Sequence, residues 1–193
     1  MPGSKKVSNK PDDYKLRELV VLITTLSEGD QAFGKVKLSK LLFFADFIAY
    51  RKFGKSITGH EYQKLPQGPV PRRLLSVVPA LASPGRSGGG VVVRKELFFG
   101  KNMQRPLALR SPEISKFKFE ELELVRELVT RWKGKTAREI SERSHEFVGW
   151  QKAELKETIP YAVALVGSRP PSALERKRGL ELEKLARKKL CLA

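Results

Sequence analysis

Apolar residues recur at helical spacing in two segments near the start of the chain. In residues 14–26 they step by three and four positions, with Asp12 and Asp13 placed where acidic side chains favour a helix N-terminus. Residues 36–53 are apolar on nearly all sides, and Gly54 follows them as a helix stop. The pattern predicts an amphipathic first helix and a second helix in the middle of the core.

Prolines interrupt the chain after this second helix. They remove backbone donors and forbid a helix interior, so residues 64–73 are predicted to form a rigid loop without regular secondary structure. Residues 72–81 are predicted to form a short helix interrupted near Pro79. Residues 83–90, rich in glycine and serine, are predicted to be a flexible connection.

A loose β-hairpin is predicted in the next segment. Two runs rich in β-branched or apolar residues, 91–99 and 106–109, flank the sequence GKNMQ, which is predicted to be the intervening loop. Val91, Val93 and Leu97 share the same parity and are expected to face the helices. This hairpin is predicted to be the only sheet.

A helical stripe returns in residues 119–132. Thr136 and Glu139 then form a capping box that opens a further helix. Residues 159–167 are short and apolar, and their pattern fits either a strand or a buried helical turn. The predicted fold is mainly α with a small β-hairpin (α+β), a compact single-domain helical bundle.

Length and charge set the domain organisation. The 193 residues allow one ordinary domain, predicted at 13–167, with a flexible basic arm at 1–12 and a basic helical extension at 168–193. The 38 Lys and Arg against 21 Asp and Glu give a net charge of +17, which attracts polyanions. With one cysteine and no apolar stretch long enough to cross a bilayer, we expect a cytoplasmic protein with no membrane partner.

Residues for metal binding and catalysis are scarce. Two histidines, His60 and His145, and one cysteine are too few for the usual nitrogen and sulfur ligands of a metal site. Ser144, His145 and Glu146 are adjacent, but neighbours on a helix point in different directions and cannot form a triad among themselves. The sequence therefore predicts a protein that is not an enzyme and needs no metal or cofactor.

The basic excess leaves nucleic-acid binding open as an alternative function, phage-borne or regulatory. Phosphate binding requires only Lys and Arg presented on one face, although no recognised nucleic-acid motif is present. Deleting residues 169–193 is predicted to abolish any such non-specific affinity and leave the domain folded. The possible nucleic-acid contacts are Arg176, Lys177, Arg178, Arg187, Lys188 and Lys189.

Two blocks of sequence resemble a known family. The first has a helix of the form K-L-x-K-L-L-x-x-A-D, a G-x-x-I-T-G turn, an aromatic residue and a G-P-V loop, and the second has S-H and Trp before I-P-Y. Together they resemble the SocA-like antitoxin domain, also called the Panacea domain, of bacteria and phages, over roughly residues 14–167. The matching residues are Lys37, Leu38, Lys40, Leu41, Leu42, Ala45, Asp46, Gly54, Ile57, Thr58, Gly59, Tyr62, Gly68, Pro69, Val70, Ser144, His145, Trp150, Ile159, Pro160 and Tyr161.

This resemblance implies a mostly helical fold with a small β element. It also implies an antitoxin that binds and neutralises a cognate protein toxin, or an adaptor that delivers the toxin to a protease, and it brings no catalytic residues. The candidate partner-binding or family-motif residues are Lys37, Lys40, Asp46, Tyr62, Leu65, Pro66, Gly68, Pro69, Val70, Ser144, His145, Trp150, Pro160 and Tyr161.

The segment LPQGPVP, residues 65–71, has two interpretations. Its prolines make it stiff enough to present a fixed surface to a partner at low entropic cost. A buried structural turn that packs the helices fits the same residues equally well. The sequence leaves both interpretations open.

Overall fold

A computed structural model describes residues 10–82 and 89–166. Within these ranges the chain is α+β, as the sequence predicts, with α-helices and two small antiparallel sheets. The helices are α1 (Asp13–Leu26), α2 (Lys35–Phe53), α3 (Leu74–Ala82), α4 (Phe119–Trp132), α5 (Ala137–His145) and α6 (Val148–Lys152). The strands are β1 (Tyr62–Leu65), β2 (Gly68–Pro71), β3 (Val91–Phe98), β4 (Lys101–Ala108) and β5 (Thr158–Ile159). Two 3₁₀ turns cover Ile114–Lys116 and Tyr161–Leu165.

Helix α2 lies at the centre of the core. It packs against α1, α4, α5, β2 and the 3₁₀ turn Tyr161–Leu165. Leu38, Leu41 and Leu42 on α2 have no exposed surface at all. The predicted central position of this helix is therefore confirmed, and the elements that carry the second sequence block pack directly on it.

The predicted helix ends are also confirmed. The Asp12 side chain caps α1 by accepting a hydrogen bond from the Lys15 backbone N–H at 2.8 Å. Gly54 ends α2 in the left-handed conformation, with φ of 72°, and its N–H donates to the Tyr50 carbonyl at 2.9 Å. The capping box at Thr136 and Glu139 opens α5 as predicted.

The proline-rich segment corrects two predictions, because it forms part of a second sheet. Strands β1 and β2 pair as an antiparallel hairpin, and β5 pairs with the other side of β1. Pro69 and Pro71 stand two positions apart on β2, which lies at the edge of this sheet. Their missing N–H groups thus both face away from β1, which is the arrangement in which a strand tolerates proline.

The β3–β4 hairpin is tighter than predicted. Phe98 pairs with Lys101, so the turn consists of Phe99 and Gly100 alone, and the segment predicted as a loop mostly belongs to β4. Phe99 and Gly100 have φ of 47° and 72°, the positive values of a type I′ turn. Val91 is buried and Val93 packs half-buried against the core, as predicted, but Leu97 is 75% exposed.

The remaining predictions have mixed outcomes. Helix α4 has the predicted bounds, whereas α3 continues through Pro79 without the predicted interruption. The apolar segment after residue 158 contains both elements that were left open, a short strand and then a 3₁₀ turn. Residues 1–9, 83–88 and 167–193, which include most of the predicted arm, most of the glycine-rich connection and the basic extension, lie outside the described residues.

A helix that crosses a membrane must be both long and apolar. Among the described residues, no helix is both long enough and apolar enough to cross a bilayer.

Candidate binding groove

Helix α2 carries three charged side chains inside the core. Lys37, Lys40 and Asp46 are each at most 1% exposed. The Asp46 carboxylate accepts hydrogen bonds from the Thr58 N–H at 2.8 Å, the Thr58 hydroxyl at 2.5 Å and the Tyr62 hydroxyl at 2.7 Å. Burial raises the pKa of Asp46, and these hydrogen bonds oppose that rise. Asp46 thus fastens the loop after α2, and β1 that follows it, to the central helix.

Lys37 joins two turns at the opposite end of α2. Its ammonium group donates to the Asp30 carboxylate at 2.5 Å and to the Lys135 carbonyl at 2.6 Å. Asp30 also accepts from the backbone N–H groups of Ala32 and Gly134. The charge of Lys37 is therefore paired inside the protein, and its role is to hold the α1–α2 and α4–α5 turns together.

Lys40 holds the β1–β2 turn. Its Nζ donates to the Pro69 carbonyl, 3.0 Å away, on the side of β2 that faces away from β1. Within the described ranges Lys40 has no ion pair, and burial lowers the pKa of its ammonium group to about 7. Lys40 of the family helix motif thus contacts Pro69 of the G-P-V loop directly.

Gly68 is the point where three elements meet. It has φ of +101°, and a Cβ placed there would lie 2.8 Å from the Lys40 Cε and would overlap the Ser144 hydroxyl. Ser144 on α5 is fully buried and donates to the Ser141 carbonyl at 2.7 Å. A glycine is required here because both the backbone conformation and the available space exclude a side chain.

His145 and Trp150 hold the turn from a second side. Their rings stack with centroids 4.0 Å apart, and the Trp150 indole N–H donates to the Leu65 carbonyl at 3.0 Å. The Lys64 ammonium lies 4.6 Å from the centre of the Trp150 ring. Burial lowers the pKa of His145, with a further contribution from the positive charge of Lys40. These contacts fix the end of β1.

The structure thus brings many of the predicted residues together around the β1–β2 turn. Tyr161 lies elsewhere, beside Tyr62 at the other end of β1, and donates its hydroxyl to the His60 carbonyl at 2.6 Å, while Pro160 precedes this tyrosine and is exposed. Gly68 and Pro69 are buried, so the structural interpretation of the turn applies to them. Four residues of the turn region instead line an open groove: Leu65, Pro66, Gln67 and Val70.

This groove has a volume of about 860 Å³. It is bounded by the β1–β2 turn, the first residues of α2 and α5, and the tip of the β3–β4 hairpin. A smaller recess of about 540 Å³ beside it contains His145 and shares five lining residues with the groove: Val36, Pro66, Gln67, Ala137 and Arg138. The apolar residues that line the groove are Ala32, Val36, Leu65, Pro66, Val70, Leu74, Phe98, Phe99, Met103 and Ala137.

The sequence-based interpretation missed the part of the site contributed by the hairpin tip. Phe98, Phe99 and Met103 line the groove, and the Phe99 side chain is 88% exposed. The available signal was the Phe-Phe-Gly sequence between two strand-like runs, since a glycine turn with two aromatic residues before it places at least one of the rings at an exposed hairpin tip. The predicted nucleic-acid contacts Arg176, Lys177, Arg178, Arg187, Lys188 and Lys189 lie outside the described residues.

An open, largely apolar groove with exposed aromatic and polar residues at its edge is typical of a surface that binds a ligand or another protein. The family model for the antitoxin SocA-like, Panacea domain matches residues 38–151. Because this match spans more than half of the 193 residues, the chain belongs to that family. The family connects the chain with an antitoxin-like role and with a toxin partner in general. Comparisons with curated proteins and with solved structures give no match.

Proposed function

We propose that this protein neutralises a protein toxin by direct contact, and that the toxin binds in the groove beside the β1–β2 turn. The observation that carries the proposal is the position of the family motif. Its buried residues Lys40, Gly68 and Ser144 interlock beneath the turn, while Leu65 and Pro66 of the same turn line the groove. The motif therefore builds and supports one wall of the groove.

Rigidity of this wall favours binding. The turn is held by Lys40 through the Pro69 carbonyl and by Trp150 through the Leu65 carbonyl. A surface that is already ordered loses little conformational entropy when a partner docks. This agrees with the interpretation of the proline segment as a surface presented to a partner.

The opposite wall contains a residue that its own fold does not favour. Phe99 adopts a left-handed conformation with φ of 47°, which costs an L-residue about 1 to 2 kcal/mol. Its ring is 88% exposed, so burial within the described chain does not offset this cost. Contact with a partner would bury the ring, and this supports a binding role for the hairpin tip.

The contacts of Ser144 and His145 support a binding role without catalysis. The Ser144 hydroxyl donates to a carbonyl of its own helix, and the His145 ring stacks on Trp150. Neither side chain is arranged as a nucleophile with its base, which would require a hydrogen bond between them. We therefore propose a binding protein rather than an enzyme.

The genomic neighbourhood provides the test of the toxin partner. Each adjacent open reading frame would be expressed alone and together with this protein. We expect one of them to stop growth when expressed alone, to be tolerated with this protein, and to co-purify with it. Failure of every adjacent toxic gene to be rescued would contradict the proposal.

Toxin abundance separates direct neutralisation from delivery to a protease. Direct neutralisation leaves the amount of toxin unchanged during rescue. An adaptor that presents the toxin for proteolysis lowers this amount and loses its effect in a host that lacks the protease. Immunoblots of the tagged toxin during rescue distinguish these two mechanisms.

Replacing Phe99 by asparagine is expected to weaken toxin binding without weakening the fold. Asparagine followed by glycine is favoured in a type I′ turn, so the free energy of unfolding should stay level or rise by about 0.5 to 1 kcal/mol. Loss of an aromatic ring at the centre of an interface should lower affinity by about tenfold or more. Affinity is measured by calorimetry with the co-purifying toxin, and stability by urea denaturation.

Phe119 provides a matched control for this substitution. It is 73% exposed at the start of α4 and does not line the groove. Phe119→Asn should bind the toxin as the wild type does. Equal affinity of Phe99→Asn and Phe119→Asn would exclude the hairpin tip from the interface.

A further inference from the structure

The groove carries charge of one sign only. Its charged lining residues are Lys35, Lys40, Lys101 and Arg138, and no carboxylate of the described part of the chain lines it. An excess of basic residues is expected in a chain of net charge +17, but the chain also has 21 acidic residues, many of them exposed on other faces. The groove therefore has a positive potential beside an apolar surface.

Two of these basic groups are available to a ligand. Within residues 10–82 and 89–166, Lys35 and Lys101 form no ion pair. Arg138 pairs with Glu142 at 2.8 Å, but both groups are exposed and such a pair is weak. A partner carboxylate at the rim of the groove would thus gain a cation without displacing a strong internal interaction.

The start of α2 adds to this positive rim. Its first turn contains no acidic residue, and its N-cap, Gly34, provides no side-chain hydrogen bond. Lys35 occupies the position where an acidic residue would balance the helix dipole. A negative group supplied by a partner would be favoured at this edge by both the dipole and the lysine.

The apolar residues favour a protein segment over a nucleic acid. Leu65, Val70 and Met103 present aliphatic and thioether surface, which binds apolar side chains rather than bases or phosphates. Phe98 and Phe99 pack edge to face, with ring centroids 4.7 Å apart, and do not form a parallel stacking platform for bases. The ligand that suits this groove therefore has apolar side chains that contact its middle and negative charges that face its positive rim.

We propose that the groove binds an apolar segment of the toxin that carries carboxylates along its edges, next to Lys35 and Lys101. This proposal rests on the proposed function, because it specifies the toxin surface that the groove recognises. Phe99 and the β1–β2 turn contact the apolar side chains of the segment. The two lysines select segments with acidic flanks and raise the association rate.

The probe is a synthetic peptide of twelve residues built from leucine and glutamate, spaced so that the leucines share one face of a helix. Its leucine and glutamine analogue keeps the apolar face and removes the charge. Both peptides are labelled, and their binding to the full chain is measured by fluorescence anisotropy at an ionic strength of about 0.15 M, where distant charges are screened. We expect the glutamate peptide to bind about tenfold tighter than the glutamine analogue, as the pairing of two charges predicts.

A charge-matched pair of variants separates the groove from the overall charge. Lys35→Glu with Lys101→Glu reverses the rim, and should remove the preference for the glutamate peptide. Arg51→Glu with Lys52→Glu changes the net charge equally at the exposed far end of α2, about 24 Å from Lys35, and should retain the preference. Circular dichroism and thermal denaturation confirm that both variants are folded.

Several outcomes would overturn this proposal. They are absence of glutamate peptide binding, equal binding of the two peptides, or equal loss of preference in both variants. Tight binding of a single-stranded oligonucleotide that is lost only with the rim reversal would assign the groove to nucleic acid instead.

Toxin rescue shows separately which of the two proposals has failed. If the rim-reversed protein still rescues cells as well as the wild type, the toxin is neutralised but not through an acidic segment. If the wild type rescues cells from none of the adjacent toxic genes, the antitoxin role itself is contradicted.

Discussion

Replacing Gly68 by alanine is expected to lower the free energy of unfolding by about 3 kcal/mol or more. Part of this loss is backbone strain, because φ of +101° is disfavoured for a residue with a side chain. The larger part is steric, since the new Cβ would lie 2.8 Å from the Lys40 Cε and would overlap the Ser144 hydroxyl. Urea denaturation followed by tryptophan fluorescence measures the change.

Gly54 is the control for the backbone contribution. It also has a positive φ, +72°, but a Cβ there has no atom within 4 Å. Gly54→Ala should therefore cost only the strain, about 1 kcal/mol. If both variants lost the same stability, the close packing of Gly68 against Lys40 and Ser144 would not contribute to the fold.

The steric part of the Gly68 effect has a functional consequence. Relief of the overlap would require either the buried Lys40 and Ser144 side chains or the turn itself to shift. A shift of Lys40 would also disturb its hydrogen bond to the Pro69 carbonyl, and the Leu65 and Pro66 side chains would then lose part of their support. Gly68→Ala should thus weaken toxin rescue even at a temperature where the variant is folded. A folded variant with full rescue would show that the groove tolerates displacement of this wall.

The helical part of the fold follows from local signals in the sequence. Periodicity identifies α1, α2 and α4. Asp12 marks the start of α1, Gly54 marks the end of α2, and Thr136 marks the start of α5. Each of these signals acts within a few residues along the chain. A single sequence is therefore sufficient to place such elements.

The β1–β2–β5 sheet depends on non-local information instead. Proline normally argues against a strand, and β2 contains two of them. They are tolerated because β2 lies at an edge and because the Pro69 carbonyl finds a donor in Lys40, which is distant in sequence. No local pattern in residues 65–71 reports that donor.

The candidate site also combines residues that the sequence identifies with residues that only the packing of the chain brings in. Leu65, Pro66 and Val70 of the predicted set line the groove, and their role as partner contacts stays a prediction, whereas most charged and polar residues of the family motif are internal supports. Phe99 and Lys101 belong to the other wall and come from a hairpin outside the quoted motif. Only packing of the hairpin beside the turn shows that these residues share one groove.

The buried lysine of the motif leads to a prediction about pH. Burial lowers the pKa of Lys40 from 10.5 to about 7, whereas in the unfolded chain the group regains its ordinary pKa. Between these two values the unfolded chain binds one more proton than the folded chain, so the contribution of Lys40 to stability rises with pH. Below about pH 7 both states are protonated and the full penalty, about 5 kcal/mol, is present.

Replacing Lys40 by methionine is therefore expected to change stability with opposite signs at low and high pH. Methionine removes the charge penalty but leaves the buried Pro69 carbonyl without its donor, which costs about 1 to 3 kcal/mol. At about pH 6 the penalty is the larger quantity, so the variant should be more stable than the wild type by about 2 to 4 kcal/mol. At about pH 10 little penalty remains, and the variant should be less stable by about 1 to 2 kcal/mol.

Urea denaturation of the variant and the wild type across this pH range measures the difference in stability. Groups that do not contact Lys40 titrate alike in both proteins, so their contribution cancels in this difference. Lys52→Met, at an exposed position on the same helix, should show no dependence of this kind. A Lys40→Met variant that lost the same stability at both pH values would show that Lys40 keeps an ordinary pKa in the folded protein. In that case the ammonium group would be solvated or paired, and it would hold the turn as a permanent cation.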